Sequence, residues 1–172
     1  MKDFFQVVHS RASVRSFLPD ALRDTEIDAL LRAAMAAPSA VNMQPWEFVV
    51  VVEKNTREQL AAALPYAKMA AEAPAVFIVC GVPARACEKS ADFAVLDASI
   101  ACENLLLAAT ALGLVGVWTA LFPDKSRIED VRRILGIPKD VIPLACVPIG
   151  RPAGPVKPKD KYNPEYIHKE RW

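Results

Sequence analysis

The chain has 172 residues, with 21 basic and 20 acidic side chains and a formal net charge of +1. This balance gives no overall attraction to nucleic acid or to an anionic membrane surface, so neither is an expected partner. The length is that of one domain. Because a hydrophobic content of 53% is high for a small monomer, the composition favours an extensive subunit interface.

Cysteine and histidine usage argues against disulfides and metal sites. The four cysteines are widely spaced without a C-x-x-C pair, which is typical of reduced thiols in a cytoplasmic protein: Cys80, Cys87, Cys102 and Cys146. The two histidines show no ligand spacing, so no metal is expected. The first five residues lack the apolar core of a signal peptide, and no uninterrupted apolar run reaches the ~18 residues of a membrane span. We therefore expect a cytoplasmic protein.

A short basic motif follows the first predicted helix, residues 3–10, for which Asp3 is a candidate cap. In an extended segment, alternation would place Arg11, Ser13 and Arg15 on one side of the chain. Two guanidinium groups and a hydroxyl on one face match the geometry of a phosphate. The alternative is a solvated edge strand whose arginines have no ligand.

The most distinctive stretch is A-P-S-A-V-N-M-Q-P-W, residues 37–46, between an apolar helix and an apolar strand. Pro38 ends the helix and Pro45 restricts the residue before it, so this glycine-free loop should be stiff. Ser39, Asn42 and Gln44 would then be held as hydrogen-bonding groups for a ligand. The alternative is a structural loop whose polar groups satisfy only its own backbone.

Periodicity predicts the remaining elements. Helices are expected at Thr25–Ala36, after Asp24 or Thr25 as a cap, and at Thr56–Leu64, Tyr66–Glu72 and Ser90–Leu112, with a last one beginning at a Ser126 cap and closed by Gly136. Strands are expected at Phe48–Val52 and Ala75–Cys80, both covered on two faces, and at Val141–Ile149. Pro143 and Pro148 predict that the last strand lies at an edge or a bulge.

The long Ser90–Leu112 helix has almost no polar face, so it should be buried all round at the centre of a dimer interface. Its exceptions, Glu103 and Asn104, are expected to make structural hydrogen bonds. The chain is divided into a domain of residues 1–150 and an extended tail of residues 151–172. That tail carries aromatic residues that need a groove, and a partner subunit would offer one.

The loop motif A-P-S-x-x-N-x-Q-P-W, the R-x-S-x-R motif and A-L-G-L-x-x-x-W at residues 111–118 together resemble the nitroreductase family of FMN enzymes. The resemblance implies an α+β fold with a mixed sheet flanked by helices, and a homodimer whose tails wrap the partner. It also implies FMN as the cofactor, bound by residues of these motifs.

Site roles are likewise implied only by the resemblance. Arg11 and Ser13 would bind the FMN phosphate and ribityl chain, Arg15 the N1/O2 edge of the ring, and the Pro38–Gln44 loop with Ser39 and Asn42 the flavin. Backbone amides near Ala120 and Leu121 would approach flavin N5 and O4. Lys159 and Lys161, or else Arg151, would complete the phosphate site. Lys68 would border the substrate mouth, or else be a solvated helix lysine.

The expected activity is a ping-pong reaction in which NAD(P)H reduces FMN and a nitroaromatic, a quinone or a similar acceptor is then reduced. No side chain is expected to act as a catalytic acid or nucleophile, because the chemistry belongs to the cofactor. The alternatives are a protein that stores or senses FMN without turnover, and a specialised dehalogenase-like or azoline-oxidase-like branch of the fold.

Overall fold

The computed structural model describes residues 3–172, so the first two positions of the predicted domain lie outside it. The helices are α1 (Phe4–Ser10), α2 (Asp24–Met35), α3 (Lys54–Ala63), α4 (Ala91–Ala111) and α5 (Lys125–Leu135). The strands are β1 (Trp46–Val51), β2 (Ala75–Gly81), β3 (Val115–Gly116), β4 (Thr119–Ala120) and β5 (Ile142–Gly150). Short 3₁₀ turns connect several of these elements.

One sheet forms the middle layer, in the order β1-β2-β5-β3, with β4 also paired to β5. The pairs between these strands are antiparallel, and a parallel bridge joins Ser13 to Gly116, so the sheet is mixed. Side chains alternate along β2, placing Val76 and Ile78 on one face and Phe77 on the other. Helices α2 and α4 cover the Phe77 face, and α3 and α5 cover the opposite face. The predicted α+β fold with a mixed, helix-flanked sheet is confirmed.

Strand β5 departs from the prediction in part. It is a central strand, with β2 on one side and β3 and β4 on the other, so the predicted edge position is wrong. The predicted bulge is present, because the register of β5 against β2 shifts between Val79 and Cys80, next to Pro143. The missing amide hydrogen of Pro143 is thus accommodated where the ladder is already irregular.

Strand β1 also differs, because it is the edge strand and its middle residues are only half-buried, whereas full cover was predicted. Strand β2 is buried throughout, as predicted. Segment 66–72 forms a single 3₁₀ turn, Lys68–Ala71, instead of an α-helix. Pro65 holds Leu64 in an extended conformation and ends α3, as the sequence predicted.

Side-chain carboxylates cap the starts of α1 and α5. The Asp3 cap is confirmed, since its carboxylate accepts a hydrogen bond from Gln6 N at 2.9 Å. Helix α2 begins at Asp24, and Arg23 holds the cap position in place of the predicted Asp24 or Thr25. For α5 the cap is Asp124, which accepts from Ser126 N at 3.0 Å, so Ser126 is not the cap. Gly136 ends α5 in a left-handed conformation, as predicted.

Helix α4 packs against the sheet and α2, yet one of its faces is uncovered. By length and composition alone it could cross a membrane, but half of the apolar window is buried inside the protein, which is typical of a core helix. Leu96 is 59% exposed and Ile100 is 42% exposed, so the prediction that α4 is buried all round does not hold within one chain.

A buried carboxylate ties the start of the tail to α2. Glu26 is 4% exposed and lies 3.0 Å from an Arg23 nitrogen and 2.9 Å from Arg151 Nη2. The hydrogen bond from Arg23 outweighs the cost of burial and lowers the pKa of Glu26 from 4.5 to about 2. This ion cluster fixes where the chain leaves β5.

We expect Glu26→Gln to lower the free energy of unfolding at pH 7 by about 3 kcal/mol, the linkage equivalent of that pKa shift. Because the folded-state pKa is lowered, the contribution is complete above pH 4.5 and is lost as the pH falls toward 2. Urea unfolding at pH 7 and pH 3 measures this. Glu58→Gln, at an exposed pair with Lys54, is the control and should change little at either pH. An equal loss for Glu26→Gln at both pH values would contradict the assignment.

Candidate functional site

A basic groove of about 320 Å³ forms where the N-terminal motif meets the tail. Val14 N donates to Gly116 O at 3.1 Å, which holds the motif extended against β3. Val14 packs on the core while Arg11, Ser13 and Arg15 line the groove, as the alternation predicted, although Ala12 lines it as well. The groove is lined by Arg11, Ala12, Ser13, Arg15, Lys157, Lys159 and Lys161.

Lys157 was missed in the sequence, although the signal was present. Lysines at alternate positions, Lys157, Lys159 and Lys161, fall on one side of an extended chain in the same way as the residues of the N-terminal motif. Arg151, the other candidate, lies elsewhere, since it donates to Glu26 and to Ala21 O. The tail therefore meets the groove through its lysines.

A larger adjoining cavity of about 800 Å³ contains an acidic residue. Arg11 Nε lies 3.8 Å from Glu103 Oε1, and His9, Lys161 and Tyr162 also line the cavity. Burial raises the pKa of Glu103, and the nearby Arg11 and Lys161 charges partly offset this. The adjoining cavity is thus not purely basic, because the half-exposed Glu103 carboxylate forms an ion pair with Arg11.

The 38–45 loop is held by its own side chains. Gln44 N donates to Ser39 Oγ at 2.9 Å, and Gln44 Nε2 donates to Asn42 Oδ1 at 3.2 Å. Val41, Asn42 and Gln44 have φ values of 51°, 57° and 51°, a region that residues other than glycine rarely adopt. The loop is therefore strained as well as stiff. Some of its polar side chains form hydrogen bonds within the loop itself.

Asp97 on α4 anchors this loop from below and was not singled out in the sequence. It is 4% exposed, and both of its carboxylate oxygens accept from Ala40 N, at 3.1 Å and 3.2 Å. A charge-assisted bond of this kind offsets the cost of the left-handed residues that follow. Asn104 on the same helix donates to Ala33 O at 3.1 Å, the structural role predicted for it.

Only one side of the β4 backbone is hydrogen-bonded to β5. Leu121 N donates to Leu144 O at 3.0 Å, so the Leu121 amide is used within the sheet and is not available to a ligand. Neighbouring residues of an antiparallel strand point their amides to opposite sides, so the Ala120 N–H and C=O face away from β5. Ala120 is an exposed residue, so of the two predicted amides only that of Ala120 points away from the sheet.

Lys68 lies against the C-terminal end of α3. Its Nζ donates to Ala61 O at 2.9 Å and to Ala62 O at 3.2 Å. A cation at these carbonyls stabilises the C-terminal end of the helix. The side chain is exposed on its outer side.

Within residues 3–172, the cavities of about 320 Å³ and 800 Å³ that Arg11 lines include no residue of the 38–45 loop. The groove and the loop nevertheless both contact α4. Arg11 of the groove pairs with Glu103, and Ala40 of the loop donates to Asp97.

Comparison with known proteins identifies this arrangement. The profile of the Nitroreductase family matches residues 8–65 and 57–151, and the chain belongs to that family. The chain is 39% identical over 170 residues, which is 99% of this chain and 88% of the relative, to a protein of Methanothermobacter thermautotrophicus provisionally named an NADH dehydrogenase/NAD(P)H nitroreductase.

A solved structure from Bacteroides thetaiotaomicron with the same provisional name superposes with a TM-score of 0.93 at 41% identity, covering 100% of this chain and 99% of that chain. An FMN reductase [NAD(P)H] of Bacillus subtilis is 24% identical over 189 residues, which is 100% of this chain and 75% of the relative. The family and fold expected from the motifs are confirmed.

We expect Asp97→Ala to loosen the 38–45 loop, because the Ala40 amide loses a charged acceptor worth about 1.5–3 kcal/mol. The Ala40 amide should then exchange with solvent about 10- to 100-fold faster, as measured by hydrogen exchange with NMR detection. The control is the Asn104 side chain, which joins α4 to Ala33 O of α2 and should keep its chemical shift. Unchanged exchange at Ala40 would show that the loop is held by its internal bonds alone.

Proposed function

We propose that this protein is an FMN-dependent oxidoreductase that takes electrons from NAD(P)H and delivers them to a nitroaromatic, a quinone or a similar small acceptor. Membership of the nitroreductase family and the names of its relatives support an NAD(P)H-dependent flavin enzyme. The basic groove at Arg11, Ser13 and Arg15 is the observation that carries the assignment.

The groove has the donor set that a flavin phosphate requires. Guanidinium forks and a hydroxyl suit a phosphate dianion, and the tail lysines add further positive charge. The Arg11 side chain is 17% exposed and held at its Nε edge by Glu103, which leaves its outer nitrogens for the ligand. A preorganised cation costs little further ordering when the anion binds.

Bound FMN supplies the hydride chemistry, and the chain's own residues bind and orient it. The outward amide of Ala120 is suited to donate to the N5/O4 edge, and the 38–45 loop to contact the ring. NAD(P)H loses a hydride and leaves as NAD(P)⁺, and a quinone gains that hydride with one proton from water to become a hydroquinone.

The three buried cysteines do not compete for this role. Burial raises the pKa of Cys80 and Cys146 to about 12 and that of Cys102 well above its ordinary range. These thiols are protonated at neutral pH and are therefore poor nucleophiles. All four cysteines are free, which fits work in the reducing cytoplasm.

The proposed active unit is a homodimer with composite sites. Leu96 and Ile100 present an apolar stripe on α4, and Tyr162, Tyr166 and Trp172 of the tail are 74%, 80% and 100% exposed. Such surfaces are typical of subunit contacts. A second chain would cover the stripe and the tail aromatics. It would also bring its 38–45 loop to the groove that lacks one.

The purified protein should be yellow, with about one non-covalent FMN per subunit that denaturation releases. Arg11→Ala should weaken FMN binding by ~1.5–3 kcal/mol, the scale of a charge-assisted hydrogen bond. Fluorescence titration of the apoprotein measures both quantities. Arg133→Ala, at an exposed pair with Asp130, is the matched control and should bind FMN normally.

Aerobic NAD(P)H oxidation with menadione separates an enzyme from a protein that only stores FMN. Colourless protein that binds no added FMN would overturn the proposal. Normal FMN affinity in Arg11→Ala would indicate that the phosphate binds in another part of the groove.

The composite site can be tested with a heterodimer whose two chains carry different inactivating substitutions. Arg11→Glu should repel the phosphate and Ser39→Trp should block the ring, so each homodimer should be inactive. In a mixed dimer one site receives both lesions and the other receives neither. The separately tagged heterodimer should therefore recover roughly half of the wild-type FMN content and activity, provided that the sites are independent. If each site lies within one chain, the heterodimer will stay inactive.

A further inference from the structure

Glu103 on α4 forms an ion pair with Arg11 at the edge of the basic groove. Within residues 3–172, that groove is lined by five cations and by no acidic side chain. Glu103 lines the adjoining cavity of about 800 Å³, and its Oε1 lies 3.8 Å from Arg11 Nε. Because the cations repel one another, a carboxylate at this position lowers the cost of holding them together before an anion binds.

The charge of Glu103 is incompletely compensated. The 3.8 Å separation from Arg11 is longer than a hydrogen bond, and the Glu103 side chain is 51% exposed. Burial of the remainder raises the pKa of Glu103, and the charges of Arg11 and Lys161 offset this only in part. The carboxylate therefore takes up a proton at a higher pH than an ordinary glutamate does.

The other charged and titratable groups of this cavity come from the N-terminal segment and from the tail. They are His9, Arg11, Lys159, Asp160, Lys161 and Tyr162. Asp160 is an exposed residue whose Oδ1 accepts from Tyr162 N at 3.0 Å, so water screens its charge and its own turn uses it. Of the two acids in the cavity, Glu103 is the one that is paired with a cation of the groove.

An anion in the groove would compete with Glu103 for the charge of Arg11. A phosphate or sulfate group bound by the Nη nitrogens of Arg11 would lie across one guanidinium from the Glu103 carboxylate. Two like charges at such a distance repel each other appreciably even when water screens them. The repulsion disappears when Glu103 is protonated, so anion binding and proton uptake favour each other.

We propose that Glu103 is the resident counter-ion of Arg11, and that an oxyanion entering the basic groove drives a proton from solvent onto the Glu103 carboxylate. This inference rests on the proposed function, because the flavin phosphate is the oxyanion assigned to that groove. Glu103 is a positioning residue for Arg11 before the anion binds and opposes the anion afterwards. Its unfavourable effect on anion affinity is present above its pKa and is lost as the pH falls through that pKa.

The test compares wild-type protein with Glu103→Gln, which removes the charge and keeps the shape of the side chain. Fluorescence titration of the apoprotein gives the FMN dissociation constant of both proteins at pH 7.5 and pH 4.5. The affinity quotient, the wild-type constant divided by the variant constant, cancels the titration of the phosphate and of unrelated groups. It should be about three to ten at pH 7.5 and should approach one at pH 4.5.

Matched controls isolate the phosphate and the charge. Riboflavin has the same ring and ribityl chain without the phosphate, so its affinity quotient should stay near one at both pH values. Asp92→Asn removes an exposed acid from the same helix, about 16 Å along the axis from Glu103, and should bind FMN as wild-type protein does. Glu103→Asp keeps the charge and should keep the wild-type pH dependence.

Two further measurements assign the proton to Glu103. Histidine side chains titrate in the same pH range, so the affinity quotient is measured again with His9→Gln in both proteins and should not change. Calorimetry at pH 5.5 in buffers of different ionisation enthalpy counts the protons that are taken up when FMN binds. Wild-type protein should take up more protons than Glu103→Gln.

An affinity quotient near one at pH 7.5, an equal quotient at both pH values, or the same quotient for riboflavin would overturn the inference. Weaker FMN binding by Glu103→Gln would also overturn it, because the carboxylate would then act only by positioning Arg11. If the protein binds no FMN, the proposed function fails. The quotient measured by calorimetry with sulfate, which is a dianion at both pH values, then decides the inference by itself.

Discussion

The packing of α4 against the sheet is the contact on which the rest of the structure depends. It is close because the end of β2 has no side chain at Gly81, where an added Cβ would lie 2.8 Å from Ala94 O. Both parts of the candidate site are attached to this helix, through Asp97 and Glu103. A shift of α4 would therefore move the basic groove and the strained loop together.

The site combines features that are individually unfavourable. The cations of the groove repel one another, and three non-glycine residues of the loop have positive φ. A carboxylate on α4 stabilises each feature. Glu103 offsets part of the positive charge at Arg11, and Asp97 accepts a hydrogen bond from Ala40 at the start of the loop. Two carboxylates of α4 thus hold the groove and the loop in place without a ligand, and such preorganisation favours tight binding.

The local motifs predicted which residues lie together where the arrangement depends on neighbouring residues. The alternation of Arg11, Ser13 and Arg15 is present because the segment pairs with β3. Predictions failed where a contact is distant in sequence. Asp97 reaches across 57 residues to Ala40, and Arg151 across 125 residues to Glu26, and no local pattern indicates either pairing. The same holds for Arg127 and Tyr66, which meet because α5 lies beside the turn that follows α3.

The sequence by itself determined the family, the types of most elements and the chemistry of the basic motif, because periodicity, proline and charge act over a few residues. The tertiary structure decided which strand is central and which is at the edge. It also decided that the Leu121 amide is used in the sheet while the Ala120 amide faces outward. Strand order and hydrogen-bond direction depend on partners far along the chain, so they are fixed only when the chain is folded.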